Sequence, residues 1–146
     1  MIFNTRSGVV TALETVNLVV QQGEFLCLIG PSGCGKSTLL NILAGLTMPS
    51  EGHARANDEL IKGTDPKRVM IFQDAALFPW LNVRSNVEFG LRMRGASRAE
   101  CRSASDRLLE MVHLEHFSRA WIHELSGGMR QRVAIARALA VEPGVL

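Results

Sequence analysis

With 146 residues, 47% of them hydrophobic and 21% charged, the chain has the composition of one packed domain or part of one. A net charge of +2 without any lysine or arginine block offers no footprint for nucleic acid. Cys27, Cys34 and Cys101 are odd in number and lack paired metal-type spacing, which reads as free thiols in a reducing compartment. The N-terminus has no basic stretch followed by an apolar one, so it does not read as a signal peptide. The longest apolar run, Phe25–Ile29, falls far below the roughly 18 residues of a membrane span. Any membrane role therefore comes through a partner.

Val16, Leu18 and Val20 alternate with more polar neighbours and predict a half-buried strand, closed by a turn at Gln21-Gln22-Gly23. Phe25–Ile29 is continuously apolar, the pattern of a strand covered on both faces. A glycine-rich loop, Gly30–Gly35, leads into Lys36–Ala44, where Leu39, Leu40, Ile42 and Leu43 predict a short buried helix stopped by Gly45. Arg68–Phe72 predicts another strand, ending at Gln73-Asp74. Ala75–Val83 contains Pro79 and predicts a loop. Cys101, Ala104, Leu108, Met111 and Val112 stand at helical spacing within an amphipathic helix over Arg98–Leu114. Ser126 caps a helix over Gly127–Val141 that Pro143 ends, and Val145-Leu146 opens a fresh apolar stretch. Strands alternating with helices predict an α/β architecture with a largely parallel sheet.

Gly30-Pro31-Ser32-Gly33-Cys34-Gly35-Lys36-Ser37, followed by Thr38, fits the phosphate-binding pattern G-x-x-x-x-G-K-[ST] between a strand and a helix. Backbone N–H groups in such a loop converge on an anion, and the helix that begins there favours negative charge. Lys36 would reach the β and γ phosphates of a nucleotide, and the Ser37 hydroxyl would ligate Mg²⁺. The loop alone leaves kinases, GTPases and many ATPases open. Leu125–Leu139 is a capped helix that starts with two glycines. It is either an ordinary amphipathic helix or a second helix N-terminus ready for an anion. His113 and His116 stand three apart without a third ligand, and neither they nor His123 predicts a metal site.

The run LSGGMRQRVAIARAL closely resembles the signature of the ATP-binding cassette (ABC) ATPases. The resemblance implies a P-loop NTPase fold: a RecA-like parallel sheet with antiparallel β and α-helical subdomains. A P-loop and Q-loop core of about 1–83 and a helical subdomain of about 84–141 follow from it. Ser126, Gly127, Gly128 and Met129 would then act in trans, the serine and glycines at the γ-phosphate of ATP held by the other subunit of a dimer. Gln73 falls where the family has the glutamine that touches Mg²⁺ and senses the transporter, and Phe3 where an aromatic stacks on adenine. Phe72–Leu91, with Trp80 after Pro79, and the Gly63–Arg68 motif resemble the importer branch serving nitrate, sulfonate, taurine and bicarbonate.

In that branch the Ala75–Leu81 loop would receive a coupling helix of a membrane permease, itself served by a solute-binding protein. Leu77, Phe78, Trp80 and Leu81 suit such a helix-in-groove contact, with internal packing as the alternative. The resemblance implies a peripheral place on the cytoplasmic face of a bacterial inner membrane. It also puts the Walker B aspartate and the catalytic glutamate after Pro143, beyond Leu146, so the fold is expected to be incomplete, with Phe25–Ile29 lacking neighbours. An importer ATPase and a truncated nucleotide-binding fragment without hydrolysis are the two functional expectations. A non-transport ABC ATPase is a more distant third.

Overall fold

A computed structural model describes the backbone of residues 1–5 and 8–146, and the side chains of these residues other than 3–5, 9 and 10. The chain divides into two compact units, Met1–Asp65 and Pro66–Leu146.

The first unit opens with an antiparallel hairpin of β1, Ile2–Thr5, and β2, Gly8–Thr11, with Ile2 opposite Thr11 and Thr5 opposite Gly8. Neither strand is legible in the sequence, because four residues of mixed polarity show no period. Helix α1 spans Lys36–Ala44 as expected and closes at Gly45, whose N–H reaches back to Ile42 O at 3.0 Å. It is less covered than its leucines suggest: Ile42 is its only buried residue, and Leu40 is exposed. A second small hairpin joins β3, Arg55–Ala56, to β4, Glu59–Leu60. Its turn residues Asn57 and Asp58 take positive φ of 50° and 64°, which these side chains tolerate in a two-residue hairpin turn.

Three expected strands are corrected. Val16–Val20 and Phe25–Ile29 form no ladder among the described residues, and Arg68–Phe72 contributes only one parallel bridge, between Arg68 and Val145. A strand exists by its partner's N–H and C=O groups, so an apolar run without one stays irregular. The consequence is visible in exposure: Phe25 is 94% and Ile29 91% accessible. The described ladders are both antiparallel hairpins rather than the parallel sheet expected.

The second unit is a packed helical assembly of α2, Val83–Met93, α3, Arg98–Met111, and α4, Gly127–Ala140. Each helix starts at a side-chain cap: Asn82 Oδ1 accepts from Ser85 N at 2.8 Å, Ser97 Oγ from Glu100 N at 3.3 Å, and Ser126 Oγ from Met129 N at 3.3 Å. Glu100 returns the bond to Ser97 N at 2.8 Å, completing a capping box that holds its carboxyl below the ordinary 4.5. Helix α3 ends three residues before the expected Leu114 because His113 takes a φ of 55° and reverses the chain. That reversal drives Leu114 into a core shared with Val83, Val87, Leu109, Ile122 and Val133. Helix α4 lays buried Ala134, Ala136, Ala138 and Ala140 inward, and such small side chains let neighbouring helices approach closely.

A polar seam joins α2 to α3. Buried Ser105 donates to Glu88 Oε1 at 3.2 Å, and Arg92 pairs with the other oxygen of Glu88. Arg84 Nη1 donates to Ser105 Oγ at 2.9 Å and pairs with Asp106 at 2.6 Å. The hydrogen bond from Arg84 is the main reason the Asp106 carboxyl lies below its ordinary 3.8. Because its folded value is depressed, its stabilisation is present above that pH and lost as pH falls below it. Asp106→Asn is expected to flatten the acid-side loss of stability below about pH 4; a thermal-melt profile with the wild-type slope there contradicts the pairing. Core packing has its own test by urea unfolding. Leu109, fully buried, should cost about 2–5 kcal/mol on truncation to alanine. Met111, 56% exposed, should cost no more than about 0.5 kcal/mol.

Candidate functional site

In the first unit the Gly30–Ser37 loop is bent around its own lysine. Lys36 Nζ donates to Gly30 O and Pro31 O, both at 2.7 Å, and lies 3.4 Å from Cys34 Sγ. The ammonium is therefore held across the loop mouth at the N-terminus of α1. Gly35, the residue before the helix, offers no side-chain cap, and the first turn carries no acidic residue. The first N–H groups of α1 and its positive end are thus left for an outside acceptor. Gly35 has a φ of 91°, and a Cβ there would meet Ala12 O at 2.5 Å, so only glycine permits this approach. Ser32, Gly33, Cys34 and Ser37 are exposed, and Thr38 is half-buried.

This donor set fits a chain of phosphates: backbone N–H groups, one ammonium and an exposed hydroxyl. It also fits Mg²⁺ held in part by those phosphates, since this ion takes one or two protein oxygens and leaves the rest to phosphate and water. Among the described residues no group of three or more histidine, cysteine or acidic side chains is placed to hold a metal. Phe3 pairs with Val10 through its backbone, but its side chain lies outside the described ones.

The second unit holds the other expected site residues. Ser126 caps α4, Gly127 and Gly128 stand exposed in its first turn, and Met129 packs partly against the core. Neither glycine is demanded by the chain's own packing. A Cβ on Gly127 would come no closer than 3.9 Å to Arg130, and one on Gly128 would meet nothing within 4 Å. Gln73 is exposed.

The Ala75–Leu81 segment divides between the two roles expected of it. Leu77 packs on the helical core, whereas Trp80 is 69% exposed. Phe78 lies between, its ring 4.4 Å from that of Phe89 and 5.5 Å from that of Trp80. A tight turn carries Trp80, with Leu81 N donating to Phe78 O at 3.1 Å. Fully buried Asn86 locks it. Its Oδ1 accepts from Phe78 N at 2.9 Å, and its Nδ2 lies 3.1 to 3.2 Å from the carbonyls of Phe78, Leu81 and Asn82. Sequence reasoning missed Asn86; a lone amide among the apolar positions of α2 was the available signal.

The family model for ABC transporters matches residues 13–146. The chain is 47% identical over 145 residues to the nitrate import ATP-binding protein of Synechocystis, covering 99% of this chain and 54% of that protein. It is 50% identical over 137 residues to the taurine import ATP-binding protein of Ruegeria pomeroyi, covering 94% of this chain and 51% of that protein. A solved dimeric ATP-binding cassette in a post-hydrolysis state, bound to ADP and Pi, aligns with a TM-score of 0.86 at 38% identity, over 97% of this chain and 67% of that one. The P-loop NTPase fold expected from the motifs is the fold of these cassettes. The chain spans about half the length of the curated relatives it matches.

The loop geometry predicts an order of sensitivity. Gly35→Ala meets both a left-handed backbone and a carbonyl at 2.5 Å, whereas Gly33→Ala meets only the backbone strain of its φ of 82° in open space. Pyrophosphate titrated calorimetrically should therefore bind Gly35→Ala far more weakly than Gly33→Ala. Equal affinities would remove the cradle from the account.

Proposed function

The chain belongs to the ABC transporter family, and from that premise we propose that it binds Mg·ATP as the nucleotide-binding part of an import ATPase. The observation that carries this reading is the uncapped N-terminus of α1 with Lys36 folded across it. Gly30–Thr38 would cradle the phosphates, Lys36 would offset the charge on the β and γ groups, and Ser37 and Gln73 would be the protein's ligands to Mg²⁺. Bound ATP supplies the phosphoanhydride whose cleavage drives the transport cycle. Phe3 is the proposed stacking partner of adenine. Lys36 and Gln73 are the proposed catalytic residues of this stretch, with the general base assigned to the family's segment after Pro143.

Ser126, Gly127, Gly128 and Met129 would act on the nucleotide of a second subunit. The two glycines support this, since they weaken the start of a helix without relieving any contact in this chain. The loop from Ala75 to Leu81 is the proposed contact for a membrane permease, with exposed Trp80 as its anchor, and a solute-binding protein would act through that permease. The relatives at 47% and 50% identity are named for nitrate and taurine import, which favours as cargo a small solute with an anionic oxo group, of the nitrate, sulfonate or taurine type. Among the described residues no helix is long and apolar enough to cross a membrane. The resemblance to import ATP-binding subunits is what supports the proposed place, peripheral on the cytoplasmic face of a bacterial inner membrane. The P-loop and Q-loop core of about 1–83 and the helical subdomain of about 84–141 are the proposed functional division.

A second reading, nucleotide binding without turnover by these residues alone, is favoured by exposed Phe25 and Ile29 just ahead of the loop. Residues Met1–Leu146 by themselves are expected to hydrolyse ATP no faster than background; turnover together with a sharp thermal melt would exclude this second reading.

Two substitutions test the main reading in a protein of the relatives' full length. Lys36→Ala should weaken binding of a fluorescent ATP analogue by at least about tenfold, the order of one charge-assisted interaction. Ser126→Arg should leave that binding intact in dilute monomer and abolish ATP-driven dimerisation in a sedimentation experiment. Near-normal binding by the first variant, or lost monomer binding by the second, overturns the respective assignment.

A further inference from the structure

Arg137 stands in the last turn of α4, and its guanidinium forks onto the main chain of the aromatic loop. Nη1 donates to Ala76 O at 3.0 Å and Nη2 to Ala75 O at 3.3 Å. The same group lies 5.2 Å from the centroid of the Phe78 ring. A planar fork can serve adjacent carbonyls and an aromatic face at once, which an ammonium cannot. Ala76 has a φ of 45°, a left-handed conformation that alanine keeps only where its surroundings hold it. Further along the segment, Gln131 Nε2 donates to Phe72 O at 3.4 Å from the same helix. Asn86, bonded at both ends of the turn, makes the piece that Arg137 holds internally stiff.

We propose that Arg137 is a positioning residue that carries displacement of the Phe78–Leu81 turn into α4, and so to Ser126 and the two glycines at the other end of that helix. Trp80 touches Phe78, and Phe78 touches Arg137, so a partner that shifts the exposed indole shifts the guanidinium with it. A helix transmits that shift along its axis as a rigid body. The proposal rests on the reading in which this turn meets a membrane permease, and adds the route by which the contact reaches the signature.

The test compares Arg137→Met, which keeps the apolar stem and removes the fork, with Arg137→Lys, which restores a cation able to reach one carbonyl. In the full-length protein reconstituted with its permease in nanodiscs, the readout is permease-stimulated ATPase divided by permease-free ATPase. Arg137→Met should lower that ratio by about tenfold, the order of one lost charge-assisted hydrogen bond. Permease-free ATPase should be unchanged, and Arg137→Lys should recover part of the ratio. A wild-type ratio in Arg137→Met, or equal losses in both variants, overturns the proposal. Hydrogen exchange in the permease-free protein reads the clamp by itself. Arg137→Met should raise exchange at the amides of Ala76 to Phe78 and Arg137→Lys should lower it again, and unchanged exchange overturns the proposal whatever the ratio does. If the exchange behaves as expected but the wild type is not stimulated at all, the importer reading fails and the proposed route falls with it. Should Arg137→Met not fold, Phe78→Leu removes the ring from the guanidinium and must lower the same ratio.

Discussion

A backbone carbonyl outside a ladder or a helix must find a donor, and in the second unit many of those donors come from α4. Arg130 serves Leu125 O at 2.7 Å, Arg132 serves Val112 O at the end of α3 at 2.8 Å, and Gln131 and Arg137 serve the segment from Phe72 to Ala76. The same helix buries Val133, Ala134, Ala136, Ala138 and Ala140 between those donors, and these small side chains let the surrounding chain approach it closely. Helix α4 therefore both fills the core and satisfies the irregular chain around it. The aromatic loop, the end of α3 and the approach to Ser126 all take their positions from that arrangement.

The two helix N-termini that carry the motifs are finished differently, and the difference suits different tasks. At α1 the preceding residue is a glycine without any capping atom, so the first donors receive no side-chain cap among the described residues. At α4 the Ser126 hydroxyl already accepts from Met129 N, leaving exposed glycines as the feature open to an outside group. The first arrangement suits tight capture of a polyanion beside a lysine. The second suits a surface that another molecule presses against.

Local signals made much of this legible in the sequence. The P-loop motif, the helix after it and the serine-capped helix α4 depend on residues close in the chain, and the structure has them where the spacing predicts. Phe25–Ile29 reads as a strand because it is apolar, but strand formation depends on a neighbour that no local pattern supplies. Helix α2 escaped notice because the aromatic and proline-containing segment before it reads as loop and hides its start at Asn82. Arg137 escaped for a different reason. Arg137 bonds to carbonyls more than sixty positions away, and in sequence it is only a basic residue in the last turn of a helix, where the dipole favours one anyway.

The central claim is that the phosphates of ATP are received by the backbone of Gly33–Thr38. Amide chemical shifts recorded while ATP, and separately AMP, is titrated into the ¹⁵N-labelled protein test it most directly. The account predicts saturable shifts concentrated at the amides of Gly33, Gly35, Lys36, Ser37 and Thr38 with ATP, and far weaker ones with AMP, which lacks the outer phosphates. Saturable binding that leaves those amides unmoved, or AMP matching ATP, would contradict it.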